Sequence, residues 1–311
     1  MGRVRAAAAA TWGMVGGYIA PVVAVIGLAL LTVEYPRLAL YTAAGVLMLS
    51  AAALLHEGGH YVAARRGGIT VTTFSVGFGP PLWSHTDQHG TTWALKAVPV
   101  GGAVTLAGTT VEEAHGLPRE HTYIYAPLRR RTWVAAAGVV SNMIAAWAAF
   151  SVAVIGLAPA DAPLWKTVLL APILGLVASA TFLHLTFNAV WAAIAQFTTS
   201  SAGSILVLPE SLADGATSAT TEGTPLWAYF TLAFGVLNVG LAVFNTLPLY
   251  PLDGSHLLVT FLDYWRMVPA KVHNTPAPAP LTHAQTRSYR WASGGALAVF
   301  TVALVARDLL R

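Results

Sequence analysis

Long apolar runs separated by short polar joints dominate the chain. Unbroken apolar stretches cover about 12–33, 38–64 and 132–157, and a hydrocarbon core of about 30 Å takes roughly 20 helical residues to cross. A further stretch from about 225 breaks at Asn245-Thr246-Leu247-Pro248-Leu249-Tyr250-Pro251 and restarts at Leu252-Asp253-Gly254, reaching about 265. A last one covers about 291–305. Residues 164–197 are apolar and helical in character too, and read as an interfacial helix or a hairpin. Between the second and third runs the period changes. Short alternating segments (72–76, 91–98) are interrupted by Gly77-Phe78-Gly79-Pro80-Pro81 and by Gly101-Gly102, which is strand and turn patterning. The pattern predicts an all-α integral membrane protein of about 5–6 transmembrane helices. A small membrane-associated β-hairpin or sheet is predicted at 69–108, and the whole chain, 1–311, forms one polytopic domain.

Composition agrees with that reading. Only 10% of the residues are charged and 56% are hydrophobic, where a soluble domain averages about 25% charged. The basic residues sit beside the apolar runs, so they act as topology signals rather than as a nucleic-acid face. Arg3 and Arg5 precede the first run, which is long for a signal peptide and lacks a clear cleavage site, so it is expected to be a retained span. Arg65, Arg66, Lys96, Arg119, Arg129, Arg130 and Arg131 place the loop after the second span in the cytoplasm. Arg266, Lys271, Arg287 and Arg290 place the loop after Asp253 there as well. Residues 158–225, with Lys166 alone, fall outside, so 164–197 is expected to cross an even number of times.

Chemistry concentrates at His56-Glu57-Gly58-Gly59-His60, near the far end of the second run. Side chains four apart share a helix face, so His56 and His60 can hold one metal ion, with Glu57 beside it as a base. There is no cysteine, which leaves His, Asp and Glu as ligands. Asp253, an acid in an apolar setting behind a proline-broken backbone, is either a third ligand or a helix N-cap. A different use of the same groups is ion transport, with His56, His60, Asp253 and His184 as ligands inside the membrane. His184 and Asn188, four apart, read more simply as a polar stripe on one helix.

Taken with Phe74-Ser75-Val76-Gly77-Phe78-Gly79-Pro80, Val98-Pro99-Val100-Gly101-Gly102, Ala137-Gly138-Val139-Val140-Ser141-Asn142 and the Asn245 to Gly254 segment, the HEGGH stretch resembles the site-2 protease family of intramembrane zinc metalloproteases. The loop after His60 is most similar to the bacterial branch that cleaves anti-sigma factors. The resemblance implies Zn2+ held by His56, His60 and Asp253, with Glu57 as the catalytic base. It also implies substrate contacts from Asn142 and Asn245, and more loosely from Pro248, Pro251, Gly101 and Gly102. The implied partners are the lipid bilayer and a single-span membrane protein such as an anti-sigma factor. The implied location is the inner (plasma) membrane, with the site towards the cytoplasmic face. Two positions depart from the family pattern: Val139 replaces a frequent proline, and Ser255 replaces a second glycine after Asp253. Members of that branch carry PDZ domains between the third span and the Asp-bearing one, and residues 157–225 are too short and apolar to contain one. An edge around 98–104 is expected to pair with substrate that has been locally unwound.

Overall fold

The structure is a computed structural model that describes residues 35–195, 208–221, 223–276 and 278–309. The expected first span, 12–33, lies outside the described residues. Helix α1 (Pro36–Arg66) opens on proline, whose missing N–H costs nothing in a first turn. It runs without a break through HEGGH. Arg65 and Arg66 fill its last turn, where cations suit the helix dipole, and the Gly67 N–H donates to the Ala63 carbonyl at 2.9 Å.

Strands β1 (Val71–Thr86) and β2 (Thr92–Leu106) follow. Both bend at glycines in the left-handed region, at Gly77 and Gly79 in β1 and at Gly101 in β2. The bends let the two strands pair more than once. Residues 71–76 are flanked by 102–106 on one side and by 92–95 on the other, and residues 81–86 pair with 92–96. The turn between the strands is fixed by Asp87. Its carboxylate accepts from the N–H groups of His89 and Thr91 and from Trp93 Nε1. The Trp93 bond foremost holds this carboxyl below its usual pKa.

Helix α2 (Leu128–Gly156) then packs along α1, which itself lies against the sheet, and a short turn leads to α3 (Leu164–Ala195). Helix α4 (Leu208–Thr221) is short and amphipathic, and α5 (Leu226–Thr246) returns beside α2. Helix α6 (Asp253–Val272) begins at the aspartate, and α7 (His283–Leu309) closes the described chain. Among the described residues, four helices are long and apolar enough to cross a membrane: α1, α2, α3 and α5. The expected last span, 291–305, lies within α7, which is not among those four.

Residues 164–197 were expected to form an interfacial helix or a hairpin; of these, Leu164–Ala195 form one helix, α3, with Pro172 inside it. It packs against α2 and α5. Trp147 Nε1 donates to the Pro172 carbonyl at 2.9 Å, and the Phe150 and Phe182 rings stack with centroids 5.1 Å apart.

Two clusters form the interior. Ala63, Ala64, Ile69, Val71, Tyr123 and Val134 join the end of α1, the sheet and the start of α2. Ala146, Phe150, Val239 and Val243 join α2 to α5. Many other large apolar side chains, among them Leu47, Ile144, Leu169 and Trp191, face outward. Burying them in lipid is what makes such a surface stable. The first cluster matters most here, because it ties the metal-binding part of α1 to α2.

Candidate metal centre

His56 and His60 are both buried and project from α1 toward α2. Two glycines allow the helices to meet there. A Cβ on Gly138 of α2 would fall among the His56 and His60 ring atoms, and one on Gly59 would meet the Ala137 carbonyl and Ser141 Oγ. Asp253 arrives from the far side, as the first residue of α6. Gly254 makes that approach possible, since a Cβ there would collide with the Thr246 and Leu247 carbonyls at the end of α5.

Asp253 Oδ2 lies 2.9 Å from His56 Nε2 and 3.0 Å from His60 Nε2, and the two Nε2 atoms are 3.2 Å apart. Two ligands of a tetrahedral zinc, with bonds of about 2.0–2.1 Å, stand roughly 3.3 Å apart. The triangle therefore fits one zinc ion with little movement, and three protein ligands leave a fourth position for reacting groups. Among the described residues this is the one group of three His, Cys, Asp or Glu side chains able to share an ion.

The outer nitrogens are also engaged. His60 Nδ1 lies 2.7 Å from the Val134 carbonyl, which can only accept, so Nδ1 carries the hydrogen and Nε2 is free to ligate. His56 Nδ1 faces the Asn142 amide at 3.2 Å. Glu57 sits one step round the helix. Its Oε2 accepts the Val104 N–H of β2 at 2.9 Å, and its side chain lies against Gly102. Glu57, His60 and Asp253 line one cleft of about 350 Å³ with Val104, Tyr250 and Pro251.

The residues expected to contact substrate have these surroundings. Asn142 is fully buried beside His56. Asn245 donates to the Leu241 carbonyl of its own helix, and Pro248 offers its carbonyl to the Tyr289 hydroxyl. Gly101 turns the backbone over Phe78. His184 pairs with Asn188 at 3.0 Å on exposed α3, apart from the metal group.

Three residues of the cleft were not anticipated. His256 follows Asp253 by one helical turn and so faces the same way, a spacing the sequence did offer. Arg290 comes from α7 with its guanidinium 4.3 Å over the Tyr250 ring, and no local pattern announces it. Tyr123 comes from the loop before α2, and burial pushes its hydroxyl above the ordinary tyrosine pKa, so it keeps its proton at neutral pH.

Membrane-crossing helices around an open His/His/Asp centre, with a glutamate in the same cleft, define the class of a membrane-embedded metallohydrolase. The chain belongs to peptidase family M50, the site-2 protease family, whose model matches residues 44–281. It is similar to the putative zinc metalloprotease R01501 of Rhizobium meliloti, with 38% identity over 130 residues, 37% of this chain and 34% of that protein. It is also similar to the regulator of sigma-E protease RseP of Salmonella typhimurium, 36% identical over 121 residues (38% of this chain, 27% of that one). The Escherichia coli RseP is 35% identical over 118 residues, 37% and 26% of the two chains. The matches thus span about a third or less of the length of these curated relatives.

Proposed function

We propose that this protein is an intramembrane zinc metalloprotease that hydrolyses a peptide bond within or beside the transmembrane segment of a membrane-anchored protein. The observation that carries the reading is Glu57 in one cleft with His60 and Asp253, beside a His56, His60 and Asp253 triangle of ligand atoms of zinc dimensions. Zinc, when bound, supplies Lewis acidity toward the scissile carbonyl. Glu57 takes the proton of the attacking water and passes it to the leaving amine nitrogen. The Val104 N–H keeps the carboxylate turned into the cleft while it does so. Residues 102–106 pair with β1 on one side only, and their other side faces Glu57. An unwound substrate adds to that edge as an extra strand, which exposes its carbonyls to the centre.

The names of the relatives support a narrower reading. The substrate is a single-span regulator of the anti-sigma-factor kind, and the cut belongs to regulated intramembrane proteolysis. The protein resides in the inner membrane with its cleft towards the cytoplasm, where the basic joints lie. Ion transport finds no support, since the family is one of peptidases.

The test compares wild type with Glu57→Gln after reconstitution with a single-span substrate. The amide keeps the size of the side chain but cannot accept the proton, so cleavage should fall by about 10²–10⁴. Zinc content should stay at the wild-type level. Undiminished cleavage in the variant would refute the mechanism.

A further inference from the structure

Asn142 is 0% exposed, and its amide meets one atom of the metal centre, His56 Nδ1, at 3.2 Å. The amide's two ends have the same shape, so which end faces the ring is decided by hydrogen bonding. As placed, the nitrogen Nδ2 faces the ring, and the oxygen Oδ1 is buried with no partner.

His56 has two ring nitrogens and one hydrogen to share between them. Its Nε2 stands 2.9 Å from Asp253 Oδ2 and 3.2 Å from His60 Nε2, inside the ligand triangle. A nitrogen that ligates a metal needs its lone pair, so the hydrogen must sit on Nδ1. An amide N–H cannot face an imidazole N–H, because both would donate. With the ends of the amide exchanged, Oδ1 accepts from Nδ1–H, and the carbonyl gains the partner it lacks. His60 shows the same pattern, with its Nδ1 on the Val134 carbonyl at 2.7 Å.

We infer that Asn142 is a positioning residue for the metal centre: its carbonyl holds His56 in the tautomer whose Nε2 ligates zinc, and it makes no contact with substrate. The exchange moves the NH2 group to where Oδ1 now lies, an atom with under 1 Å² of accessible surface. That group is out of reach of a peptide in the cleft. The two ligating histidines are thus oriented from opposite kinds of source. A backbone carbonyl of α2 holds His60, and a side chain two turns further along the same helix holds His56. Residues 134 and 142 lie eight apart on α2 and therefore near the same face, the one that Gly138 brings against α1. This inference rests on the proposed zinc centre and deepens it.

The experiment measures zinc affinity of the full-length protein in detergent by competition with a chelator, for wild type, Asn142→Asp and Asn142→Leu. Loss of an outer partner of a ligating histidine weakens metal binding by about 10–100-fold. Asn142→Leu, which can accept nothing, should show that loss. Asn142→Asp keeps an oxygen in place for Nδ1–H and should bind zinc at least tenfold more tightly than Asn142→Leu. A purely structural role predicts the reverse order, because a buried carboxylate disturbs the packing more than leucine does. Cobalt substituted for zinc should keep its visible absorption bands in Asn142→Asp and lose intensity in Asn142→Leu. Equal affinity in wild type and Asn142→Leu, or Asn142→Asp as weak as Asn142→Leu, would overturn the role of Asn142 while leaving the centre itself standing. A wild-type protein that binds no zinc would overturn both.

Discussion

Arg131 Nη1 and Asp263 Oδ2 lie 2.8 Å apart, and each residue is only 2% exposed. The pair joins the first turn of α2 to the middle of α6. Asp263 also accepts the Leu281 N–H at 3.0 Å, which draws in the segment before α7. Helix α2 carries the surface against which His56 and His60 pack, and α6 begins with Asp253. The ion pair therefore fixes the distance between the two halves of the metal centre.

Breaking one partner of a buried pair costs about 3–5 kcal/mol, and without Arg131 the Asp263 carboxylate keeps only the longer, half-exposed contact to Arg266 Nη1 at 3.5 Å. Arg131→Met should therefore destabilise the protein by that order and lower its zinc content. The double variant Arg131→Met/Asp263→Met should recover most of the loss, since a well-packed apolar pair is often no worse. Thermal unfolding in detergent checks both. A single variant as stable as wild type would show that the clamp is not holding α6.

Gly138 gives a second test of the same packing. Alanine there would drive its methyl into both imidazoles, and overpacking costs about 1–3 kcal/mol. Zinc should be lost from Gly138→Ala. Gly240→Ala on α5 makes the control, because its Cβ would meet nothing within 4 Å. Equal zinc content in the two variants would mean that α1 and α2 are not in contact as described.

The ligand set has its own measurement. Purified protein should hold about one zinc per chain, and a His56→Ala/His60→Ala double variant should hold almost none. Elemental analysis that finds full zinc in the double variant would remove these residues from the centre.

Much of the centre was legible because its residues are conspicuous where they stand. Two histidines and two acids in apolar surroundings have few bland explanations, and Asp253 proved to be aimed at the histidines. What stayed hidden is carried by groups without a side-chain signature. The Val134 carbonyl and the Val104 N–H are backbone atoms, and any sequence supplies them. Arg290 meets the cleft only through the packing of α7. The α3 segment was ambiguous for a different reason. Its apolar residues go most of the way round, so the pattern carries little from which to tell an interfacial helix from a hairpin.

The proposed topology rests on the charge pattern and is open to labelling, because the sequence has no cysteine. Cysteine at Pro118, in the basic joint before α2, should react only from the cytoplasm. Cysteine at Ala213 on α4 should react only from outside. Helix α4 packs near Gly45 through Leu212, toward the end of α1 away from the histidines. Cytoplasmic labelling at Ala213 would invalidate the assignment of 158–225 to the external side.

The bond between Val104 N–H and Glu57 Oε2 tests the mechanism without touching a ligand. Proline at 104 removes the N–H. That N–H points away from β1, and proline is tolerated on a strand edge whose N–H is not part of the ladder. Sheet pairing and zinc content should therefore survive in Val104→Pro. A hydrogen bond to a charged group contributes about 1.5–3 kcal/mol, and a base that loses it samples orientations that miss the attacking water. Cleavage should fall by roughly 10–150-fold, that same energy read as a rate. Val104→Ala keeps the N–H and should cleave within about twofold of wild type, less than 0.5 kcal/mol on that scale. The pair separates the backbone group from the side chain. If Val104→Ala lost as much activity as Val104→Pro, the valine methyls rather than the N–H would be what the site uses. If neither lost activity, Glu57 would be held by something other than this strand.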